Sequence, residues 1–289
     1  MNRFVAFAAA TLAASICVSS ACSAAPGEPI RFVLAPERGD SIHASFHSDD
    51  GRGRHNDWST DFQSGELTGL DLAAFHGSGS RPLRFALVRE AGRLDCAGRG
   101  GESRASGGCS FTADARFTQL LQSHGIARPT NEQAMGLMAV NVRRELIDAI
   151  AAAHYPTPTI DNLMALSALG IDEHYIAGMA RAGYRPRTLD ALVQFKALNV
   201  TPQWIAGFVR IGYAGLPADQ LMQLKALDIT PDYVAGFDRV GYRHLPVDKL
   251  VQLKALDITP EFVRSVAGPG GQMPDVATLM RWKTVGRRR

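Results

Sequence analysis

His43, His47, Asp49, Asp50, His55 and Asp57 crowd imidazoles and carboxylates into one short stretch, the donor types that a zinc-like ion takes. On an extended strand His43 and His47 stand roughly 13 Å apart, too far to share one ion without a bend. A solvated strand and turn is therefore the expected form, with a metal-dependent hydrolase or metal-binding protein centred on His43, His47, Asp50 and His55 as the alternative. The second group of chemically able residues is periodic: Lys196, Lys225, Lys254 and Lys283 recur every 29 residues, and so do Arg181, Arg210 and Arg239. Equal spacing in a repeat sets each type in a row, a basic ridge suited to an anionic or carboxylate-bearing partner. Cations in a helix's last turn also complement its dipole, and Asp161, Asp190, Asp219 and Asp248 fall where the N-terminal end of a helix favours a carboxylate. There is no H-E-x-x-H, no P-loop and no G-x-S-x-G, and His76-Gly77-Ser78-Gly79 lacks the first glycine of a nucleophile elbow. No catalytic residue, metal ligand set or cofactor is assigned.

The elements that must hold these rows come from the same repeat. Leu163, Leu192, Leu221, Leu250 and Leu279 stand 29 residues apart, and Tyr184, Tyr213 and Tyr242 project back onto Tyr155 and Ile126. Tyr175, Trp204, Tyr233 and Phe262 project likewise onto Leu146 and Phe117, so the array starts near Phe117 and holds about five units with a half unit at each end. Self-similarity at such a period signals stacked supersecondary units. Each unit reads as two short helices. Leu192, Val193, Phe195, Ala197 and Leu198 give the first its apolar side, and Trp204, Ile205, Phe208 and Ile211 give the second its own. Thr201-Pro202, Thr230-Pro231 and Thr259-Pro260 start the second helix, the hydroxyl capping free N–H groups and the proline standing where no donor is missed. Gly183, Gly212 and Gly241 stop it in the left-handed conformation, with Tyr213 expected to fold back on Phe208. Thr130 with Gln133 spells a capping box. Gly178, Gly207 and Gly236 sit mid-helix at a cost of about 1 kcal/mol against alanine, which close approach between copies would explain. One unit alone cannot offset its ordering entropy, so burial against neighbours must hold the array together.

Ahead of the array the period is two. Ile42, Ala44 and Phe46 alternate with His43, Ser45 and His47, Trp58, Thr60 and Phe62 resume the pattern, and Leu83, Phe85 and Leu87 repeat it before Ala91-Gly92. Four to six antiparallel strands are expected, with the glycine-rich stretch from Gly98 to Gly108 as a loop between two of them. The fold class that follows is α+β and mainly α: a small N-terminal antiparallel β domain over 25–111, then a right-handed α-solenoid of 29-residue helical hairpins over 112–289.

Residues 1–24 read as a signal peptide, with Asn2-Arg3 before an apolar run from Phe4 to Val18 and small residues to Ala25. Cleavage after Ala24 is expected, which makes the protein periplasmic or extracellular. A lipoprotein anchored through Cys22 is the alternative, and only in that case does a membrane enter as partner. Cys96 and Cys109 then remain as an even pair in an exported chain, a disulfide candidate. A bridge over their dozen-residue loop contributes about 3 kcal/mol through the entropy it removes from the unfolded chain. With 31 basic and 28 acidic residues the net charge is +3, far short of a footprint built for nucleic acid.

Units of the form ALxxTPxYVxGFxRxGY, preceded by FALVREAG, RLDCAG and GGCSF, resemble the exported repeat regions attached to or accompanying BlaR/MecR-type membrane metallopeptidase regulators in bacteria. The resemblance covers roughly residues 83 to 267. It implies an α-hairpin repeat module presented outside the cytoplasm to contact another protein. The zinc-binding helix and multiple membrane spans of the metallopeptidase half have no counterpart in this sequence, so no catalytic residue carries over. The expected function is a non-enzymatic envelope interaction module accessory to a signalling or regulatory system. Its expected partner is a protein or peptide of acidic character, met at Lys196, Lys225, Lys254, Arg181, Arg210 and Arg239. A lipid-anchored structural spacer is the other alternative.

Overall fold

The computed structural model describes residues 30–49, 55–266 and 273–285. Residues 1–24, expected to be a signal peptide, Asp50 and the arginines at 287–289 lie outside the described residues, Cys22 among them, as do the side chains of Asp49 and His55. The described residues begin with seven antiparallel strands: β1 (Ile30–Pro36), β2 (Ser41–Asp49), β3 (His55–Gln63), β4 (Leu67–Thr68), β5 (Arg81–Arg89), β6 (Gly92–Gly101) and β7 (Arg104–Ala113). They form one curled sheet in the order β3-β2-β1-β7-β6-β5-β4. Alternation sets its faces. Ile42, Ala44 and Phe46 of β2 are buried with Phe32 and Leu34 of β1 and Phe62 of β3, while His43 and His47 stay half-exposed on the other side.

Seven strands exceed the four to six expected, and the glycine-rich stretch is ladder, not loop. β6 and β7 run in register from Gly92↔Ala113 to Gly101↔Arg104, turning on Glu102 and Ser103, both at positive φ. Close packing explains the glycines. A Cβ on Gly98 would lie 2.1 Å from the Ser106 carbonyl oxygen, and one on Gly107 2.2 Å from that of Ala97, with the Phe32 ring 2.8 Å from each. These glycines let the backbones and a core ring approach, a role glycine takes within strands. Cys96 and Cys109 face each other in this ladder and are joined by a disulfide.

β7 passes into the helical region without a linker: Asp114 donates its N–H to the Ala91 carbonyl at 3.1 Å and caps Phe117 at 2.8 Å. Among the described residues twelve helices follow: α1 (Ala115–Ser123), α2 (Asn131–Ala139), α3 (Arg144–Ala152), α4 (Ile160–Ala168), α5 (Glu173–Arg181), α6 (Leu189–Ala197), α7 (Pro202–Arg210), α8 (Ala218–Ala226), α9 (Pro231–Arg239), α10 (Val247–Ala255), α11 (Pro260–Val266) and α12 (Val276–Val285). Contacts join each helix to the next but one, odd to odd from α1 to α11 and even to even from α2 to α12.

Local chemistry sets their ends. The hydroxyls of Thr201 and Thr230 accept from the N–H groups of Trp204 and Tyr233, each at 3.2 Å, and Thr130 forms its capping box with Gln133. Gly183, Gly212 and Gly241 stand at φ 76°, 91° and 97°. The following tyrosine closes the Schellman bond, as when Tyr213 N–H donates to the Phe208 carbonyl at 2.9 Å. The Tyr213 ring packs edge-on to Phe208 at 6.4 Å between centroids. The even helices close the same way on Asn199, Asp228 and Asp257, all at positive φ.

The mid-helix glycines meet prolines. A Cβ on Gly178, Gly207 or Gly236 would lie 2.9, 2.7 or 2.6 Å from Cγ of Pro202, Pro231 or Pro260, the first residue of the next odd helix. Where Ala149 replaces the glycine, Glu173 replaces the proline.

A buried cluster runs unbroken from Ile30 in β1 to Leu221 in α8. At its centre the end of β5 grips two helices. Arg89 donates to the Met138 and Ala139 carbonyls at the end of α2, at 2.9 and 2.7 Å. Glu90 accepts at 3.1 Å from the Arg144 N–H at the start of α3. Cation and carboxylate thus meet the helix ends whose partial charges they complement.

Candidate interaction surface

The structure separates the two basic rows. Each lysine stands on the aromatic ring that opens the preceding odd helix: Lys196 on Tyr175 at 4.8 Å, Lys225 on Trp204 at 5.4 Å, Lys254 on Tyr233 at 5.2 Å and Lys283 on Phe262 at 5.1 Å. Lys254 and Lys283 also donate to the carbonyls of Asp228 and Asp257, at 3.1 and 3.0 Å. The lysine row is therefore an internal fastener, its stem and charge spent on the neighbouring unit.

The tyrosines work beside it. Tyr175 and Tyr233 donate to the carbonyls of Val200 and Ile258, at 2.7 and 2.8 Å. Tyr213 donates to Leu245 at 2.7 Å, and Tyr242 to Pro274. Burial, with Tyr155 nearby, pushes the Tyr175 hydroxyl up to about 12. Burial, with Asp238 nearby, pushes that of Tyr213 to about 12 as well. Tyr233 rises further for the same first reason.

Arg181, Arg210 and Arg239 remain exposed at the ends of α5, α7 and α9. Each guanidinium lies over the glycine of its own helix, 4.0, 3.9 and 3.8 Å from where a Cβ on Gly178, Gly207 or Gly236 would sit. Among the described residues none of the three forms an ion pair within 4.0 Å. Glu261 is the acidic group that feels one of them: its carboxyl is held below the usual range by its own backbone N–H, the Thr259 hydroxyl, Arg264 and, last, Arg239.

On the sheet, each histidine faces its own carboxylate across β2 and β3. His43 Nδ1 lies 2.6 Å from Asp61 and His47 Nδ1 2.9 Å from Asp57, register pairs on the half-exposed face. The strand keeps the two imidazoles in separate pairs. Glu37 joins His43 and Asp61, with one potential ligand atom of each within 4.8 Å of the others.

One concave feature escaped the reading of the sequence. Trp58 of β3 is only half-buried although its register partner Phe46 is fully enclosed, because β3 is the edge of the sheet. One face of the indole stacks on Phe46 at 4.2 Å. Between Trp58 and helices α2 and α4 runs a groove of about 640 Å³, floored by Met135, Gly136 and Met164 and rimmed by Glu132 and Asp161. Its methionines are one repeat apart, Met135 and Met164, a signal that the 29-residue register already contained.

Among the described residues no helix is long and apolar enough to cross a membrane. No family model matches the chain, and no curated protein or solved structure matches it either.

Proposed function

We propose that this chain is a non-enzymatic envelope interaction protein, in which the sheet anchors a right-handed solenoid of 29-residue helical hairpins that presents repeated surface rows to a partner protein or peptide. The next-but-one contacts from α1 to α12 support the hairpin stack. The Cys96–Cys109 bridge suits an oxidising compartment, reached by export with or without a lipid at Cys22. The resemblance to repeat regions accompanying BlaR/MecR-type regulators belongs to this reading and suggests an accessory place in signalling.

The observation that carries it is the division of labour between the basic rows. Lysines fasten the units, whereas Arg181, Arg210 and Arg239 are exposed in register and, among the described residues, stand beyond 4.0 Å of any carboxylate. Such a row suits an acidic segment. The test is a decameric poly-glutamate peptide titrated against the intact chain by fluorescence anisotropy. Arg181→Glu with Arg210→Glu should weaken binding by about tenfold or more, deepen with falling salt and leave Tm unchanged. Equal affinity of wild type and variant would remove the arginines from the account.

A further inference from the structure

The Trp58 groove is the head of a longer feature. Glu132 and Met135 of α2 sit three residues apart, and neighbours at that spacing share a helix face. The same pair recurs in every even helix but the last: Asp161 with Met164 in α4, Asp190 with Val193 in α6, Asp219 with Met222 in α8, and Asp248 with Val251 in α10. Glu132, Asp161, Met135 and Met164 already meet in one groove, so the shared face is geometry at its first two steps. Val193, Met222 and Val251 are half-exposed, and all four aspartates are exposed. Among the described residues none of these four carboxylates forms an ion pair within 4.0 Å. The even helices thus present a stripe of apolar side chains, half-buried from Met164 onward, edged by exposed carboxylates in the helices' first turns, opening at the half-exposed indole of Trp58.

We propose that this acidic, apolar track is a docking surface for an extended partner segment that alternates apolar anchors with Lys or Arg side chains. The sign follows from the carboxylates, which attract cations and disfavour acidic segments. The anchors follow from the floor: methionines and valine accept aliphatic groups, methionine adapting to irregular shapes, and Trp58 offers a large rigid surface. The indole also takes a cation on its face. Extended conformation follows from pitch. Packed helices stand about 8–10 Å apart, and an extended chain of the polyproline II form completes one turn in three residues over roughly 9 Å, so every third side chain of the segment meets the next carboxylate. This surface is distinct from the arginine row and of opposite charge, so the two proposals stand or fall separately.

The probe is the peptide (Leu-Lys-Gly)5, whose three-residue repeat matches the track and whose glycines resist helix formation, measured against (Leu-Glu-Gly)5 on the intact chain. The lysine peptide should bind and weaken with added salt, and the glutamate peptide should bind at least about tenfold more weakly there. Trp58→Ala and the pair Asp161→Lys, Asp190→Lys should each lower affinity about tenfold or more, while Arg210→Glu should not. If Trp58→Ala lowers Tm, Met164→Gln at the half-exposed floor replaces it. Hydrogen exchange should show peptide-dependent protection in α2, α4 and α6. Equal binding of both peptides, unchanged affinity in folded track variants, or protection confined to the odd helices would overturn the proposal. So would self-association of the chain that removes peptide binding, since a second copy would then be the occupant.

Discussion

Gly207 shows how a residue disfavoured by local propensity is retained by its neighbour. Within a helix interior, alanine is about 1 kcal/mol better than glycine, so Gly207→Ala should stabilise an isolated α7. In the protein the new Cβ would lie 2.7 Å from Pro231 Cγ, and overpacking of this kind costs about 1–3 kcal/mol. Pro231 is held in the first turn of α9 beneath the Thr230 cap, so it has little room to give. We expect Gly207→Ala to destabilise by about 1 kcal/mol net. The double variant with Pro231→Ala should recover part of that loss, a coupling of at least about 0.5 kcal/mol in a denaturation cycle. Additive effects would show that the glycine and proline do not constrain each other. The sequence itself points the same way, since Ala149 and Glu173 depart together.

Among the elements, helix ends were legible because capping is local: Thr130, Thr201 and Gly212 act on N–H and carbonyl groups a few residues away. Contacts across the repeat were not legible, because periodicity says that residues line up without saying what lies opposite. Lys225 reads as a surface cation until Trp204 is seen beneath it. Gly98 and Gly107 read as loop residues until the Phe32 ring is seen packed against both. Trp58 belonged to an alternating strand, but only the strand order makes that strand an edge.

The tyrosine links give the stacked elements a pH dependence whose sign is fixed. Tyr175 and Tyr213 have hydroxyls raised from 10.0 to about 12, so the folded state keeps its proton where the unfolded chain loses it. Their contribution is fully present below pH about 10 and is lost as pH rises toward 12. Tm should therefore fall across that window, with tyrosinate absorbance appearing together with unfolding. Tyr175→Phe with Tyr213→Phe should flatten the fall, and Phe262, at the repeat position of Tyr233, shows that the ring is accepted without its hydroxyl. An unchanged slope in the double variant would place the alkaline transition elsewhere.

At the scale of the whole molecule, the sheet and the helices share one buried cluster from Ile30 to Leu221, and the end of β5 adds polar links across that junction. The main helix contacts join next-but-one neighbours, so a local loss should spread by steps and fade. The first step is Arg89. Its guanidinium sits 5.4 Å over the Phe62 ring and satisfies two carbonyls at the end of α2. Burial lowers its pKa, with Glu66 opposing. Arg89→Met would keep a stem of similar reach but leave the Ala139 carbonyl without its donor and Met138 with only the Asn141 N–H, at about 1–3 kcal/mol for such an orphaned group. Lysine should rescue part of the loss, because a single nitrogen, Nη1, serves both acceptors and an ammonium carries three donors. We expect Arg89→Met to lower hydrogen-exchange protection in β5, α2 and α3, where Glu90 holds the adjoining helix start, and to leave α9 and α10 unchanged. The opposite order, with α9 and α10 losing protection first, would mean that the array is held from its far end, where α10 meets α12, and that the sheet is carried by the helices instead of anchoring them.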